Sequence, residues 1–455
     1  MRYVSTRDNS KEYSFEDVFI KGLADDGGLY VPQSLKKYNS QELSKLKNLS
    51  YNELSTKIIN QFSWDFISKD ELSTLINKSY STFREKEVVK ISNVGEIKLL
   101  ELFHGPTLAF KDVAMQFIGN LYEYYLSKNH KKINIVGATS GDTGAAAIDA
   151  IKGKSNLNIF VLHPNNRISS VQRKIMTTVD EKNVFNIAID GNFDDCQNIV
   201  KSMFADLEFS RSINMSGVNS INWARIIAQT VYYFYSYFKL DKENISFSAP
   251  TGNFGDVFAG YLAKKMGLPI DKLIVATNEN DILHRAISKG DYISKEVKET
   301  SSPSMDIQLA SNFERLIYYV NNSDSEKTAE IMEKVKQNSY QIEKNNLDII
   351  QKDFLSESCN EQETLEIIKK NYEENNIILD PHTEVGVGAA NKLSFNDCVV
   401  LSTAHPCKFP DATKNAINKH EKLPKELQHV LDKVENFEVL KNDIVEVKNF
   451  VKSKV

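Results

Sequence analysis

Two stretches of the chain follow one plan. Residues 132–153 read KINIVGATSGDTGAAAIDAIKG, and residues 245–267 read ISFSAPTGNFGDVFAGYLAKKMG. Each is a strand pattern, then a glycine-rich loop, then a helical pattern. Glycines let the backbone turn so that successive N–H groups converge at a helix N-terminus, a geometry that binds anions. Further strand patterns at 97–103, 158–162, 184–189, 272–276 and 398–401 alternate with helical ones. This alternation predicts an α/β protein with parallel sheets flanked by helices. Ligands of such sheets meet the loops at the strand carboxyl ends. Neither loop carries the lysine of G-x-x-x-x-G-K-[ST], and neither fits G-x-G-x-x-G, so an ATP P-loop and a dinucleotide fingerprint are not supported. A plain strand-to-helix turn is the other reading of each loop. One bound anion could belong to a cofactor and the other to a substrate carboxylate.

A third segment, HGPTLAFKDVAMQF (104–117), places a lysine among apolar residues. Thr107 is available as a helix cap. Helical spacing puts Phe110, Ala114, Phe117, Ile118 and Leu121 on one apolar stripe. Lys111 shares its flank with Met115, Ile118 and Tyr122. Two readings are open: a snorkelling lysine whose ammonium stays wet, or a desolvated amine with a lowered pKa, suited to Schiff-base chemistry.

Other polar residues carry similar alternatives. Asp142 lies mid-loop, where an Asx-turn and a ligand-facing role are both open. Asp256 sits near a helix N-terminus, where capping is the ordinary role. Arg225 interrupts an apolar helix, SINWARIIAQTVYYF, as a buried ion pair or as a substrate contact. Arg167, Arg173 and Lys174 in RISSVQRK follow the strand FVL, either on the surface or at a strand carboxyl end. Thr403 ends the strand CVVLS. His104, His405 and Ser304 flank motifs as positioning or structural residues, and Asp306 caps or pairs locally.

Composition narrows the classes. At 455 residues, two or three domains are expected. A net charge of −5 over that length argues against nucleic-acid binding. The four cysteines form no C-x-x-C pair, which fits a reducing compartment. The histidines show no metal-binding spacing, so no metal is expected. The N-terminus has no apolar signal core, and the most apolar helix, NWARIIAQTVYYFYSYF, contains Arg225 and reads as buried. These features lead to a cytoplasmic soluble protein with no membrane partner.

Eight motifs, in order, identify the chain as similar to the threonine synthase family. They are STRDNSKEYSFEDVFIKGLADDGGLYVP, HGPTLAFKD, TSGDTG, NSINWARIIAQ, PTGNFGD, SMDIQLASNFER, DPHTEVG and STAHPCKFPDAT. The likeness runs from about residue 3 to residue 415. It implies the tryptophan synthase β-like fold (PLP fold type II) and pyridoxal 5′-phosphate (PLP) as cofactor. The reaction implied converts O-phospho-L-homoserine and water to L-threonine and phosphate, the last step of threonine biosynthesis. The resemblance makes Lys111 the coenzyme-bearing lysine. It assigns Gly252, Asn253, Phe254, Gly255 and Asp256 to the coenzyme phosphate and Thr403 to the pyridine nitrogen. Asp142 falls where several relatives place an asparagine at the 3′-oxygen. Ser140, Gly141, Thr143 and Gly144 lie where relatives grip the substrate carboxylate. Arg225 and Arg167 are candidates for the remaining substrate charge.

The sequence departs from the family at Asn165-Asn166-Arg167, where a glycine commonly precedes the arginine, at Ser170 and at Glu384. Asparagine tolerates positive φ, so the turn at 165–167 is expected to survive. The expected organisation is an N-terminal domain (1–95), a large PLP-binding domain (96–130 and 245–420, with a helical insertion at about 312–375), a small substrate-closing domain (131–244) and a C-terminal helical tail (421–455). The long form of the family suggests a monomer or weak dimer. Rival readings are a phospho-lyase giving 2-oxobutyrate and a non-catalytic phosphate-binding protein.

Overall fold

The strands that carry the two glycine loops lie in different sheets. The computed structural model describes every residue except Asn396. Strands β1 (Tyr3–Ser5) and β2 (Tyr30–Pro32) form an antiparallel pair. There follow β3 (Lys90–Val94), β4 (Ile97–Glu101), β5 (Ile133–Ala138), β6 (Leu157–Pro164), β7 (Val184–Asp190), β8 (Met215–Ser216), β9 (Ile245–Pro250), β10 (Ile270–Thr277), β11 (Phe354–Ser358), β12 (Val399–Ser402) and β13 (Glu438–Lys441). Their order is β11-β10-β9-β12-β4-β3 in a six-stranded sheet and β13-β7-β6-β5-β8 in a five-stranded one. Every pairing in these two sheets is parallel except β3 with β4.

The larger sheet decides where the site forms. Strands β9, β12 and β4 are neighbours in it although they lie far apart in the chain. The loop after β9 is TGNFGD, the residue after β12 is Thr403, and the segment after β4 leads to Lys111. All six residues of β9 and all four of β12 are buried. A central parallel strand covered on both faces needs such a continuous apolar run.

Helix Lys111–Asn129 joins the sheets. It is buried all round from Lys111 to Tyr122, not only along the expected stripe. It packs against helix Asp142–Ile151, which follows the other glycine loop. Gly119 permits this approach, because a Cβ there would meet the Ala150 carbonyl oxygen at 2.4 Å. Helix Trp223–Leu240 is buried along nearly its whole length. Among the described residues no helix is long and apolar enough to cross a membrane.

Two expected regions differ. The segment 312–375, read as wholly helical, contains β11, an edge strand of the larger sheet. The tail 421–455, read as helical, contains β13, which extends the smaller sheet beyond β7. Both strands are short edges with mixed polar sequences, FLSES and EVLK. Such edges have only one neighbour and need no long apolar run. Leu440 and the following helix, through Val447 and Val451, pack into the same apolar cluster as Ile187 of β7. The helix from Lys111 also starts without Thr107 as its cap. Phe110 is the boundary residue with no side-chain cap bond. Thr107 instead donates through its N–H and Oγ1 to Asp112, at 2.8 and 2.6 Å.

Because Ile187 is fully buried where the tail meets the smaller sheet, Ile187→Ala is expected to cost about 2–5 kcal/mol of stability. Chemical denaturation measures it. A loss well under 1 kcal/mol would show that the tail does not close this core.

Candidate active site

Lys111 is 8 % exposed, so its ammonium does not snorkel to water. Its Nζ donates to Ser304 Oγ at 2.9 Å and lies 3.8 Å from Asp142 Oδ2. Burial lowers its pKa to about 8. Asp142 opposes that shift, while Lys408 and Arg225 add to it. The lysine is therefore a buried amine that gives up its proton more easily than an exposed one.

The turn that presents Lys111 is stitched to the end of β12. The Phe110 N–H donates to the Thr403 carbonyl at 2.8 Å, and the His405 N–H donates to the Leu108 carbonyl at 3.0 Å. Thr403 is buried, and its hydroxyl has no hydrogen-bond partner among the described residues. The Thr403 N–H donates to Thr383 Oγ1 at 3.3 Å, and that hydroxyl pairs with Asp380.

The TGNFGD loop supplies backbone donors. The N–H groups of Gly252, Asn253, Phe254, Gly255 and Asp256 have no protein acceptor among the described residues, whereas Thr251 before them and Phe258, two residues after them, do. Gly252 runs against the 302–305 segment: a Cβ there would meet the Ser304 carbonyl oxygen at 2.5 Å. Phe254 adopts φ 60° at the start of helix Gly255–Lys265, with its ring among Phe313 and Phe354. The side chains of this loop turn outward. Asn253 binds Ser220 Oγ and the Ser311 N–H, and Asp256 accepts from Tyr232 and Tyr233. Asp256 is thus not a helix cap, and only its backbone faces the donor cradle. Burial among apolar neighbours raises its pKa to about 6, despite the two tyrosines.

On the facing loop, Asp142 is buried beside three cations or potential cations. Burial alone would raise its pKa. Lys408, Lys111 and His382 outweigh that and hold it well below the usual carboxylate range. Gln172 donates to its Oδ1 at 2.9 Å. The Ser140 and Thr143 hydroxyls have no partner among the described residues, and both residues are half-buried at the mouth of this loop. Gly141 and Gly144 donate to Thr139 Oγ1, which shapes the turn.

The arginines separate sharply. Arg225 is 4 % exposed, makes no ion pair among the described residues, and leaves Nε without a partner. The ion-pair reading of this residue therefore does not hold. Burial lowers its pKa to about 10, still leaving it charged at neutral pH. Arg167 is exposed in the loop after β6, where Asn166 takes φ 55°, the turn that the asparagine was expected to preserve. Arg173 pairs with Glu435 at 2.8 Å and Lys174 binds the Leu431 carbonyl, so both clasp the C-terminal segment.

The flanking residues also have definite partners. His104 lies 2.9 Å from Glu101, and Asp306 accepts from Thr300 and Asn278 at 2.7 Å each. His405 is pushed down to about 4, first by burial and then by Arg84, so it is neutral at physiological pH. Three site residues escaped the sequence reading: Lys408, His382 and Gln172. Lys408 is fully buried, 2.5 Å from Asp142. The His382 ring accepts from the Ser304 N–H at 3.3 Å and pairs with Asp380 at 2.9 Å. The available signal was a lone cation between Cys407 and Phe409, the same kind that marked Arg225.

The cradle, the buried amine and the unpaired arginine fit a phosphorylated aldehyde coenzyme. Family comparisons agree. Residues 93–403 match the pyridoxal-phosphate dependent enzyme family, so the chain belongs to that class. Residues 2–80 match the threonine synthase N terminus, and 383–451 match the threonine synthase C-terminal family. Threonine synthase from Pseudomonas aeruginosa is 43 % identical over 99 % of this chain and 98 % of its own. The Saccharomyces cerevisiae enzyme is 45 % identical over 94 % and 92 %. The crystal structure of PLP-bound threonine synthase from Brucella melitensis superposes with a TM-score of 0.97 at 43 % identity, covering 100 % of this chain and 99 % of that one. The chain belongs to the threonine synthase family.

Glu384, a departure from the family pattern, lies apart from this centre. It is fully buried against Asn371, whose Nδ2 donates to Oε2 at 2.6 Å, while Oε1 has no partner. Burial raises its pKa to about 8. The folded state therefore holds this proton where the unfolded chain has lost it, and stability falls as pH rises from about 4.5 to 8. Glu384→Gln is expected to match the parent in urea midpoint near pH 4.5 and to exceed it at pH 8. A gap that does not widen with pH would place the carboxyl group in a wetter setting.

Proposed function

We infer that this chain converts O-phospho-L-homoserine and water to L-threonine and phosphate. The observation that carries the inference is the convergence of Lys111, the five free N–H groups of residues 252–256 and the unpaired Arg225 on one buried centre. When bound, PLP supplies an electron sink for carbanion chemistry next to the substrate nitrogen.

The chain's own residues supply position and proton movement. The amides of Gly252 to Asp256 would hold the coenzyme phosphate at the N-terminus of helix Gly255–Lys265, where the helix dipole favours an anion. Thr403 offers a neutral hydroxyl to the pyridine nitrogen and so does not demand a protonated ring. Asp142 would face the 3′-oxygen side. With its amine free, Lys111 would be the residue of this chain to take a proton from the bound substrate and return it. Its lowered pKa suits that exchange near neutral pH. Ser304 Oγ keeps the amine aimed inward.

The substrate brings a carboxylate and a phosphate. Ser140, Gly141 and Thr143, with the free amides at the start of helix Asp142–Ile151, would take the carboxylate. Arg225 is the buried cation available for an anionic group. Arg167, exposed at the mouth, reaches a substrate only if the smaller sheet and its loops close over the larger one. We assign 131–244 that closing role and 96–130 with 245–420 the coenzyme-binding role. The family likeness further supports a monomer or weak dimer in the cytoplasm.

Incubation of the purified protein with O-phospho-L-homoserine is expected to give threonine and phosphate in equal amounts. Accumulation of 2-oxobutyrate alone would replace the synthase reading with a phospho-lyase. Lys111→Ala is expected to lower turnover by roughly a thousandfold or more. Borohydride reduction followed by peptide mapping should leave the coenzyme label on Lys111, and a label on another lysine would overturn the assignment.

A further inference from the structure

Lys408 is the most completely buried lysine near the site, with no exposed surface. Its Nζ lies 2.5 Å from Asp142 Oδ1 and donates to the Thr107 carbonyl at 2.8 Å. Its own carbonyl accepts from Ser169 Oγ at 3.0 Å, and its N–H donates to the His405 carbonyl at 3.2 Å. Thr107 in turn donates twice to Asp112, the residue after Lys111. One ammonium thus touches the loop after β5 and the turn that presents Lys111. Its backbone, through Ser169, also touches the loop after β6.

Asp142 is divided between two lysines. Oδ1 faces Lys408, and Oδ2 faces Lys111 at the longer distance of 3.8 Å. The other charged or titratable groups around this carboxylate are His382 and Arg225, with Asp112 beyond Thr107. Lys111 must change its protonation and its covalent state during turnover. A buried carboxylate with Lys111 as its sole partner would lose its counter-charge at each change, which is costly in a dry site. Lys408, held to Asp142 and to the Thr107 carbonyl, takes no part in that covalent link.

We propose that Lys408 is a positioning residue: it holds Asp142 ionised and fixed toward Lys111, and so clasps the glycine loop of the smaller sheet onto the coenzyme-bearing turn. The proposal rests on Lys111 being the residue that carries PLP. It adds that the proton affinity at Lys111 is set through Asp142 by a cation that never takes part in the chemistry.

The test is a pH titration of the coenzyme's visible absorbance in the holoenzyme. Lys408→Met removes the competing cation and leaves Lys111 as the one lysine paired with Asp142. The midpoint is expected to rise by about one pH unit. In the Asp142→Asn background most of that rise should vanish, because the effect runs through the carboxylate. An unchanged midpoint in a folded Lys408→Met holoenzyme would overturn the proposal, and so would an equal rise in both backgrounds. Should Lys408→Met fail to fold, the double variant decides. Removing both charges leaves neither member of this pair buried without its partner, so recovery of the folded holoenzyme supports the pairing, and a double variant as unfolded as the single one refutes it. Borohydride mapping of the same samples keeps the outcomes separate: a label on Lys111 with an unmoved midpoint defeats this inference and leaves the coenzyme assignment standing.

Discussion

The site depends on keeping one amine dry beside one carboxylate. Lys111 and Asp142 begin helices that follow strands of different sheets, yet they face each other across 3.8 Å in a buried centre. Isolated burial would discharge both groups. Lys408 and Gln172 hold the carboxylate charged, while burial and the neighbouring cations push the lysine toward its neutral form. A shared electrostatic setting therefore moves both groups toward the states that coenzyme chemistry uses.

Backbone arrangement complements these charges. The cradle at 252–256 owes its shape to contacts behind it. Asn253 is tied to Ser220 and Ser311, and Asn312 holds the Asn253 carbonyl at 3.0 Å. Arg315, fully buried, binds Asn312 and donates to the carbonyls of Tyr30 and Ile221. The N-terminal strand pair thus braces the loop from a distance through the SNFER motif. Such support leaves the N–H groups free to point at a ligand rather than at each other.

Motif and burial pattern were legible to different degrees. The glycine loops, Lys111 and Arg225 stood out because a polar or flexible residue interrupted an apolar or regular pattern. Lys408 and His382 lay inside motifs already noticed, and the one local signal for Lys408, a lone cation between Cys407 and Phe409, is far shorter than the apolar helix that sets off Arg225. The edge strands β11 and β13 were missed because a short edge buries one side only and carries no long apolar signature. Asp256 read as a helix cap, since that is the common role near an N-terminus. Its side chain instead meets Tyr232 and Tyr233, 24 and 23 residues earlier in the chain but adjacent in space, on helix Trp223–Leu240.

Local order alone determined the alternation of strands and helices, the two glycine-rich turns and the presence of a lysine without an apparent polar role. These follow from spacing and residue type within a dozen or so positions. Tertiary structure decided which loops became one site. The order β9-β12-β4 sets TGNFGD, Thr403 and the Lys111 turn side by side, and the packing of helix Lys111–Asn129 on helix Asp142–Ile151 brings Asp142 to the amine. Strand order depends on complementary burial between segments far apart in the chain, such as β4 and β12, and the helix contact on how two successive helices pack across the sheets. No single segment contains that information, and so the charge states of Lys111 and Asp142 exist only in the assembled chain.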